Sequence, residues 1–349
     1  MAQKKLQYEF NPYTFARISA MKSLLLKKED YDKIMKLSSS EIIKFLQEGV
    51  YAPEINKAAL KYSGIQLVEN SLNKHLERIF LKLKLISDPS IEFLMIQYLK
   101  RYDFYNLKTL IRAKQSGLDE SKFIDLLLPV GTLKKDKLKK LFTFDTVREI
   151  IEESGLIIKS EFNELLDSYE QTKDLGEIEN MLDYHYFADS VEFAKQIPSE
   201  GKLFKEFFKF EFDVYNIKLI LKKIFFKLET KYIEKYVIYD GKDLSKRSIN
   251  ELVQCDKLSS FLKELSKTNY RKILPEINES DSLLRYEVLL EKFLLNKSIL
   301  LYHQNPLTVD LVLGFMFAKE IEVRNLRVII KSKKLQYTED YVKNLIVIK

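Results

Sequence analysis

The chain has 349 residues, of which 46% are hydrophobic and 31% charged, a composition typical of a folded protein with a large buried core. Basic side chains exceed acidic ones only modestly, 58 against 51, and the two signs alternate, which argues against a dedicated nucleic-acid binder and suits an acidic macromolecular partner. The single cysteine excludes an intrachain disulfide, and no apolar run reaches the roughly 20 residues that span a bilayer. We also expect no secretory signal, because the first residues lack an apolar segment.

Long segments rich in Leu, Lys and Glu, with only 9 glycines and 7 prolines in all, predict an all-α fold. In the first third, the spacing predicts an amphipathic helix over residues 13–26, after Asn11-Pro12. Ser38 and Glu41 predict a capped helix start, and residues 64–85 carry an apolar stripe at helical spacing. Pro89 then precedes a further helix.

The middle third opens with the loop Leu128-Pro129-Val130-Gly131, which a lysine-rich helix follows. A long helix is predicted from about Glu177 to Lys195, and Pro198 ends it. The last third repeats this plan: Asp240-Gly241 takes the place of Gly131 and opens a helix that contains Ile249 and Leu252. Asn305-Pro306 then leads into the last long helix.

One pattern occurs three times: an acid, an asparagine three residues later, then an aliphatic residue and a base. The interval from the first asparagine to the second is nearly the same as that from the second to the third. We call these positions the signature: Asp103 and Asn106, Asp213 and Asn216, Glu322 and Asn325. A proline precedes each acid at a nearly constant distance, namely Pro89, Pro198 and Pro306. The repeat predicts three similar helical units in series, 1–115, 116–226 and 227–349.

On a helical wheel, the acid and asparagine of each copy lie among aliphatic residues. Buried polar groups require hydrogen-bond partners, so we expect both to bond the main chain of a neighbouring helix or a buried arginine. The opposite face carries the bases: Lys108, Arg112, Lys218, Lys222, Arg324, Arg327 and Lys331. Two interpretations remain open: the signature sets helix register and the bases are a solvated face, or the three basic stripes form one partner-binding surface.

No pattern for catalysis, a metal or a cofactor is present. The chain lacks the glycine-rich phosphate loops, and His75, His185 and His303 show no ligand spacing. Cys255 lies at helical spacing from Leu252 and Leu258, typical of a small core residue. We therefore predict that the chain is not an enzyme.

Several of these segments match a known family. Residues 305–327, from Asn305-Pro306-Leu307 to Asn325-Leu326-Arg327, resemble the C subunit of V/A-type (archaeal-type) rotary ATPases, whose eukaryotic counterpart is the d subunit of vacuolar ATPases. Residues 13–22, 102–112 and 128–133 fit the same family, so the resemblance covers nearly the whole chain.

The resemblance implies a funnel-like arrangement of three similar helical domains about a pseudo-threefold axis. It implies a non-catalytic rotor subunit of the central stalk, with the membrane proteolipid ring and the axle subunits as partners. A rotor subunit of this kind links proton- or sodium-driven rotation to ATP turnover. The expected location is the cytoplasmic face of the membrane, without a membrane span, cofactor or nucleic acid.

A second hypothesis from the residues alone is a helical scaffold that binds an acidic protein or a nucleic acid. The steep salt dependence of nucleic-acid binding would distinguish the two.

Overall fold

The computed structural model describes residues 11–157, 162–197, 201–276, 282–303 and 309–348, and for 274–276 and 300–303 the backbone alone. Every regular element in these ranges is helical, which confirms the all-α prediction. Pro198, Asn305 and Pro306 lie outside the described residues, as does the side chain of His303.

The helices, numbered in chain order, form groups of short helices that alternate with pairs of long ones. The long ones are α5 (Gly64–Ile86), α6 (Pro89–Gln115), α11 (Gly176–Gln196), α12 (Lys202–Phe226), α16 (Leu283–His303) and α17 (Val309–Lys334). The short helices of the first third are α1 (Pro12–Ser23), α2 (Lys28–Lys36), α3 (Ser39–Gln47) and α4 (Ala52–Ala58). Those after α6 are α7 (Glu120–Leu126), α8 (Lys135–Phe142), α9 (Val147–Ser154) and α10 (Asn163–Thr172). The remaining ones are α13 (Thr230–Glu234), α14 (Lys246–Val253), α15 (Leu258–Leu265), a 3-10 helix (Asn269–Glu276) and α18 (Glu339–Leu345).

Local sequence accounts for several helix starts. The Ser38 hydroxyl accepts from the Glu41 N–H while the Glu41 carboxylate accepts from the Ser38 N–H, a reciprocal cap at the start of α3. Pro12 and Pro89 occupy the first turn of α1 and α6, where a missing N–H has no cost. The predicted helices at 64–85 and from Glu177 to Lys195 correspond to α5 and α11.

The chain divides into two compact units, residues 73–193 and residues 1–72 with 194–349. In the smaller unit, α6 packs against α7, α8 and α9 around a core in which Phe123 and Phe142 stack with ring centroids 4.6 Å apart. In the larger unit, α16 packs against α12 and α17, and α17 also contacts α1, α3 and α18. The three predicted repeat units stay a prediction.

Candidate functional site

The three signature asparagines make the same contact. Each is fully buried, accepts the main-chain N–H of the residue 22 positions later and donates its Nδ2–H to that residue's carbonyl. These partners are Leu128 for Asn106, Ile238 for Asn216 and Val347 for Asn325, at 2.6–3.0 Å. The bonds go to the main chain, but the partner residue follows a short helix; it does not lie within a neighbouring helix and is not a buried arginine. Each asparagine amide thus holds the turn that follows a short helix (α7, α13 or α18) against the long helix that carries the asparagine (α6, α12 or α17).

The two signature aspartates bond the main chain just before the N-caps of α8 and α14. The Asp103 carboxylate accepts from the N–H groups of Thr132 and Leu133, each at 2.8 Å, and from the Thr132 hydroxyl at 2.7 Å. Asp213 accepts three main-chain N–H groups, those of residues 242, 243 and 244, at 2.7–3.2 Å. The Tyr270 hydroxyl donates a fourth bond to Asp213 at 3.1 Å.

Two glycines are required because these carboxylates approach the main chain closely. A Cβ added to Gly131 would lie 2.2 Å from Asp103 Oδ1, and one added to Gly241 would lie 1.7 Å from Asp213 Oδ1. The sequence shows that these glycines recur at the repeat interval. It does not show that each is paired with the signature acid that precedes it. Only glycine lets the main chain pass so near a buried side chain.

The third acid has partners from a different part of the chain. Glu322 accepts the Leu26 N–H at 2.6 Å, the Tyr51 hydroxyl and the Lys319 ammonium. Leu26 directly precedes Lys27, the N-cap of α2. In the same way, Leu133 precedes the N-cap of α8 and Leu244 that of α14. The N-terminal segment therefore bonds the signature acid of α17 as the following segments bond those of α6 and α12.

Two further contacts between α17 and the N-terminal segment support this equivalence. Lys333, in the last turn of α17, donates to the Met35 carbonyl at the end of α2. Lys223 in α12 donates to the Val253 carbonyl at the end of α14, at 2.8 Å. In addition, Lys331 of α17 forms an ion pair with Glu69 of α5 at 2.8 Å. Residues 26–69 thus supply contacts to α17 like those that the segments after α6 and α12 supply to those helices.

All three signature helices also end alike. The residue 11 positions after each asparagine has a positive φ, 64° at Gly117, 52° at Lys227 and 55° at Gln336. The next N–H donates to the carbonyl five residues earlier, at 2.9–3.1 Å, as in a Schellman motif. Glycine adopts this conformation readily, whereas a side chain makes it unfavourable.

We therefore expect Lys227→Gly and Gln336→Gly each to raise the free energy of unfolding by about 0.5–1 kcal/mol, because the left-handed strain is removed. Urea unfolding monitored by circular dichroism measures the change. Lys231→Gly, at an exposed position in the first turn of α13, is the control and should not raise stability, because glycine is a poor helix former. A loss of stability in all three variants would contradict the prediction.

The buried Asp213 carboxyl has a perturbed acidity. Burial raises its pKa from 3.8 to about 6, and the hydrogen bonds from residues 242–244 and Tyr270 offset only part of the effect. Because its pKa is higher in the folded than in the unfolded state, its contribution to stability is full below pH 3.8 and is lost as the pH rises through about 6.

We expect the free energy of unfolding of the wild type to contain a component of about 3 kcal/mol that is lost between roughly pH 4 and 6. Asp213→Asn removes the titrating group, so its profile should be flatter in this range whatever its absolute stability. Urea titrations at half-unit pH steps provide the measurement. An unchanged pH slope in Asp213→Asn would refute the assignment.

The predicted basic stripes form ion pairs with neighbouring long helices. Lys108 bonds Asp183 and Arg112 bonds Glu179, both on α11 and at 2.5 Å. On α16, Glu291 pairs with Lys218 at 3.2 Å and Arg324 at 2.9 Å. Lys222 and Arg327 are half-buried. These pairs suit a role in helix packing, while binding of a partner by the basic stripes stays a prediction.

The histidines and the cysteine are not gathered into a site in the described residues. The His75 ring is buried beside Arg78, at 3.1 Å, and His185 packs near Phe162 with ring centroids 5.4 Å apart. The Cys255 thiol is buried, which raises its pKa, and donates to the Glu251 carbonyl at 3.4 Å. No cluster of three or more His, Cys, Asp or Glu side chains in the described ranges could hold a metal ion.

Likewise, none of the helices in the described ranges is both long and apolar enough to cross a membrane.

The sequence profile of the family described as "ATP synthase (C/AC39) subunit" matches residues 14–345. The chain is 32% identical to the C subunit of the A-type ATP synthase of Methanosarcina mazei over 96% of its length and 92% of that protein's. The corresponding protein of Methanosarcina barkeri is 31% identical over 97% of the chain and 92% of its own length. That of Haloferax volcanii is 27% identical over 97% and 98%.

These matches extend over nearly the whole chain, and the family profile spans all three signatures. They confirm the family resemblance drawn from the sequence, and they agree with the prediction of a subunit that is not itself an enzyme. The chain belongs to the ATP synthase (C/AC39) subunit family.

Proposed function

We propose that the chain is a central-stalk (rotor) subunit of a V/A-type ATP synthase or ATPase. It acts as a socket that couples the membrane proteolipid ring to the axle subunits during proton- or sodium-linked rotation. Its place is on the cytoplasmic face of the membrane, peripheral to the membrane-embedded part. The relatives named as C subunits of A-type ATP synthases support this role.

The observation that supports the proposal is the set of contacts between α17 and the N-terminal segment. Glu322, Lys331 and Lys333 bond residues 26–69 as the earlier repeats bond the segments that follow them. An open array would leave the capping positions of its last repeat unfilled. Under this proposal the three predicted repeats form a funnel-like, pseudo-threefold arrangement, which would surround the end of an axle and resist torque.

Deletion of the gene tests the coupling role. We expect ATP hydrolysis by the detached soluble head to persist, while ion transport driven by ATP in membrane vesicles is lost and returns with the wild-type gene. The full-length chain should also co-purify with the proteolipid ring and the axle subunits. Intact ATP-driven transport in the deletion strain would exclude the proposal.

A charge swap separates the two interpretations of the basic stripes. Lys108→Glu places two acids together, because Lys108 faces Asp183, whereas Lys108→Asp with Asp183→Lys restores an ion pair of opposite polarity. If the base serves only packing, the double variant regains both stability and coupled transport. If it binds a partner, the double variant regains stability alone.

A further inference from the structure

Helix α8 carries charge of almost one sign. Its eight residues include Lys135, Lys137, Lys139 and Lys140 and one acid, Asp136. Leu138 and Leu141 are buried, whereas the four lysines are exposed or half-buried. The helix is therefore amphipathic, with an apolar face toward the core and a cationic face toward solvent. We call these four lysines the α8 patch.

The α8 patch is not neutralised within the protein. None of its four ammonium groups forms an ion pair with the described residues, although the same unit pairs Lys108 and Arg112 with acids. Lys135 and Lys139 are four residues apart and Lys137 and Lys140 three apart, so each pair places like charges side by side on the helix. The repulsion between these like charges opposes helix stability, and Asp136, three and four residues before Lys139 and Lys140, offsets only part of it.

The equivalent helices of the other repeats show that the shared fold does not need the lysines. Helix α2 balances its bases with Glu29, Asp30 and Asp32. Helix α14 has two bases, of which Arg247 pairs with Glu251 at 2.9 Å. Of these three helices, α8 is the strongly cationic one. The strong positive charge is therefore a feature of α8 and not of the shared helix plan.

Two neighbouring lysines extend the positive field. Lys134, the N-cap of α8, donates to the Gly131 carbonyl at 3.0 Å, and Lys84 donates to the Val130 carbonyl at 3.2 Å. Burial and the charge of Lys134 both lower the pKa of Lys84, in keeping with a concentration of positive charge at this end of α8. Six lysines thus surround one short loop and the helix that follows it.

We infer that the α8 patch binds the anionic headgroups of a membrane surface. Lysine is a flexible, hydrated point charge suited to a diffuse layer of phosphates, whereas arginine is preferred for fixed, bidentate recognition of one carboxylate or phosphate. Clusters of four to eight bases on an amphipathic helix have this lipid preference. The inference rests on the proposed function, which places the chain at the membrane.

Binding to liposomes tests the inference without any other subunit. Full-length chain is sedimented with vesicles of phosphatidylcholine containing about 30% phosphatidylglycerol, and with vesicles of phosphatidylcholine alone, at about 50 mM and 500 mM NaCl. We expect binding only to the anionic vesicles and only at low salt, because salt screens a surface charge layer within about one Debye length. Replacing the four lysines of the α8 patch by glutamine should weaken the partition about a hundredfold or more.

The matched control removes four exposed lysines elsewhere: Lys28, Lys36, Lys44 and Lys57→Gln. It changes the net charge equally, and acids lie three or four residues from each of these lysines. Equal weakening by both variants would show a general charge effect and overturn the inference. So would absence of binding to anionic vesicles, the result expected if the patch contacts an acidic protein.

Different experimental results would exclude the proposed coupling role and the inferred lipid contact of the α8 patch. If the chain co-purifies with the proteolipid ring but does not bind anionic vesicles, the inferred lipid contact is excluded and the proposed coupling role is unaffected. If the chain binds anionic vesicles through α8 but does not co-purify with the proteolipid ring, the proposed coupling role is excluded. Circular dichroism of both glutamine variants must match the wild type, since the substitutions are on the solvent side of their helices.

Discussion

Glu322→Leu is expected to lower the free energy of unfolding by about 3–5 kcal/mol. The reason is the burial of its partner: the Lys319 side chain is 4% and that of Glu322 3% exposed, and their ion pair measures 2.5 Å. Removing the acid leaves an uncompensated ammonium in the core, the costly way to break a buried pair. The Leu26 N–H and the Tyr51 hydroxyl lose their acceptor as well.

Guanidinium or urea unfolding measures this loss, and a second variant identifies its cause. Glu322→Leu with Lys319→Met removes both charges and should recover a large part of the stability, because an apolar pair can replace a buried ion pair. The exposed pair Lys343–Asp340, at 3.5 Å, provides the control: Asp340→Ala should change stability by less than about 1 kcal/mol. If the Glu322→Leu protein is as stable as the Asp340→Ala protein, the buried contacts of Glu322 with Leu26, Tyr51 and Lys319 do not contribute to stability as expected.

The same variant should loosen the N-terminal segment selectively. In Glu322→Leu, amide hydrogen exchange is expected to rise in α2 and around Leu26, while the turn held by Asn216 keeps its protection. This follows because local opening depends on the local contacts that are lost.

Gly241→Ala is expected to cost about 2–5 kcal/mol, and Gly131→Ala a similar amount, because overpacking is combined with buried main-chain groups that lose a charged acceptor. The new methyl group would lie 1.7 Å from Asp213 Oδ1 or 2.2 Å from Asp103 Oδ1. The carboxylate can move away only by giving up N–H donors at the start of α14 or α8.

Gly49→Ala is the matched control for these two variants. A Cβ there would meet only the Phe45 and Leu46 carbonyl oxygens, at 3.7 and 3.9 Å, which is ordinary contact. Chemical denaturation should therefore place Gly49→Ala within about 1 kcal/mol of the wild type, since alanine restricts the unfolded chain more than glycine does. If Gly131→Ala and Gly241→Ala are equally tolerated, the carboxylates do not need this close approach.

The sequence by itself determined the helical class, the positions of the long helices and the threefold recurrence of the signature. These are properties of local chemistry: few helix breakers, apolar residues at helical spacing, and capping side chains such as Ser38 act within a few residues. The burial of the signature acid and asparagine also followed, because both fall on the apolar side of the helical wheel. The family resemblance rested on short segments that include two of the signatures.

The tertiary structure alone decided which groups these buried side chains meet. That Asn106 binds a turn 22 residues away, that Gly241 faces Asp213, and that Lys108 faces Asp183 all depend on how helices pack. The closure of Glu322 onto Leu26, 296 residues away in sequence, is the clearest case. A repeat in a sequence specifies equivalent positions but not their neighbours, since hydrogen bonds and ion pairs form between atoms that folding brings within about 3 Å.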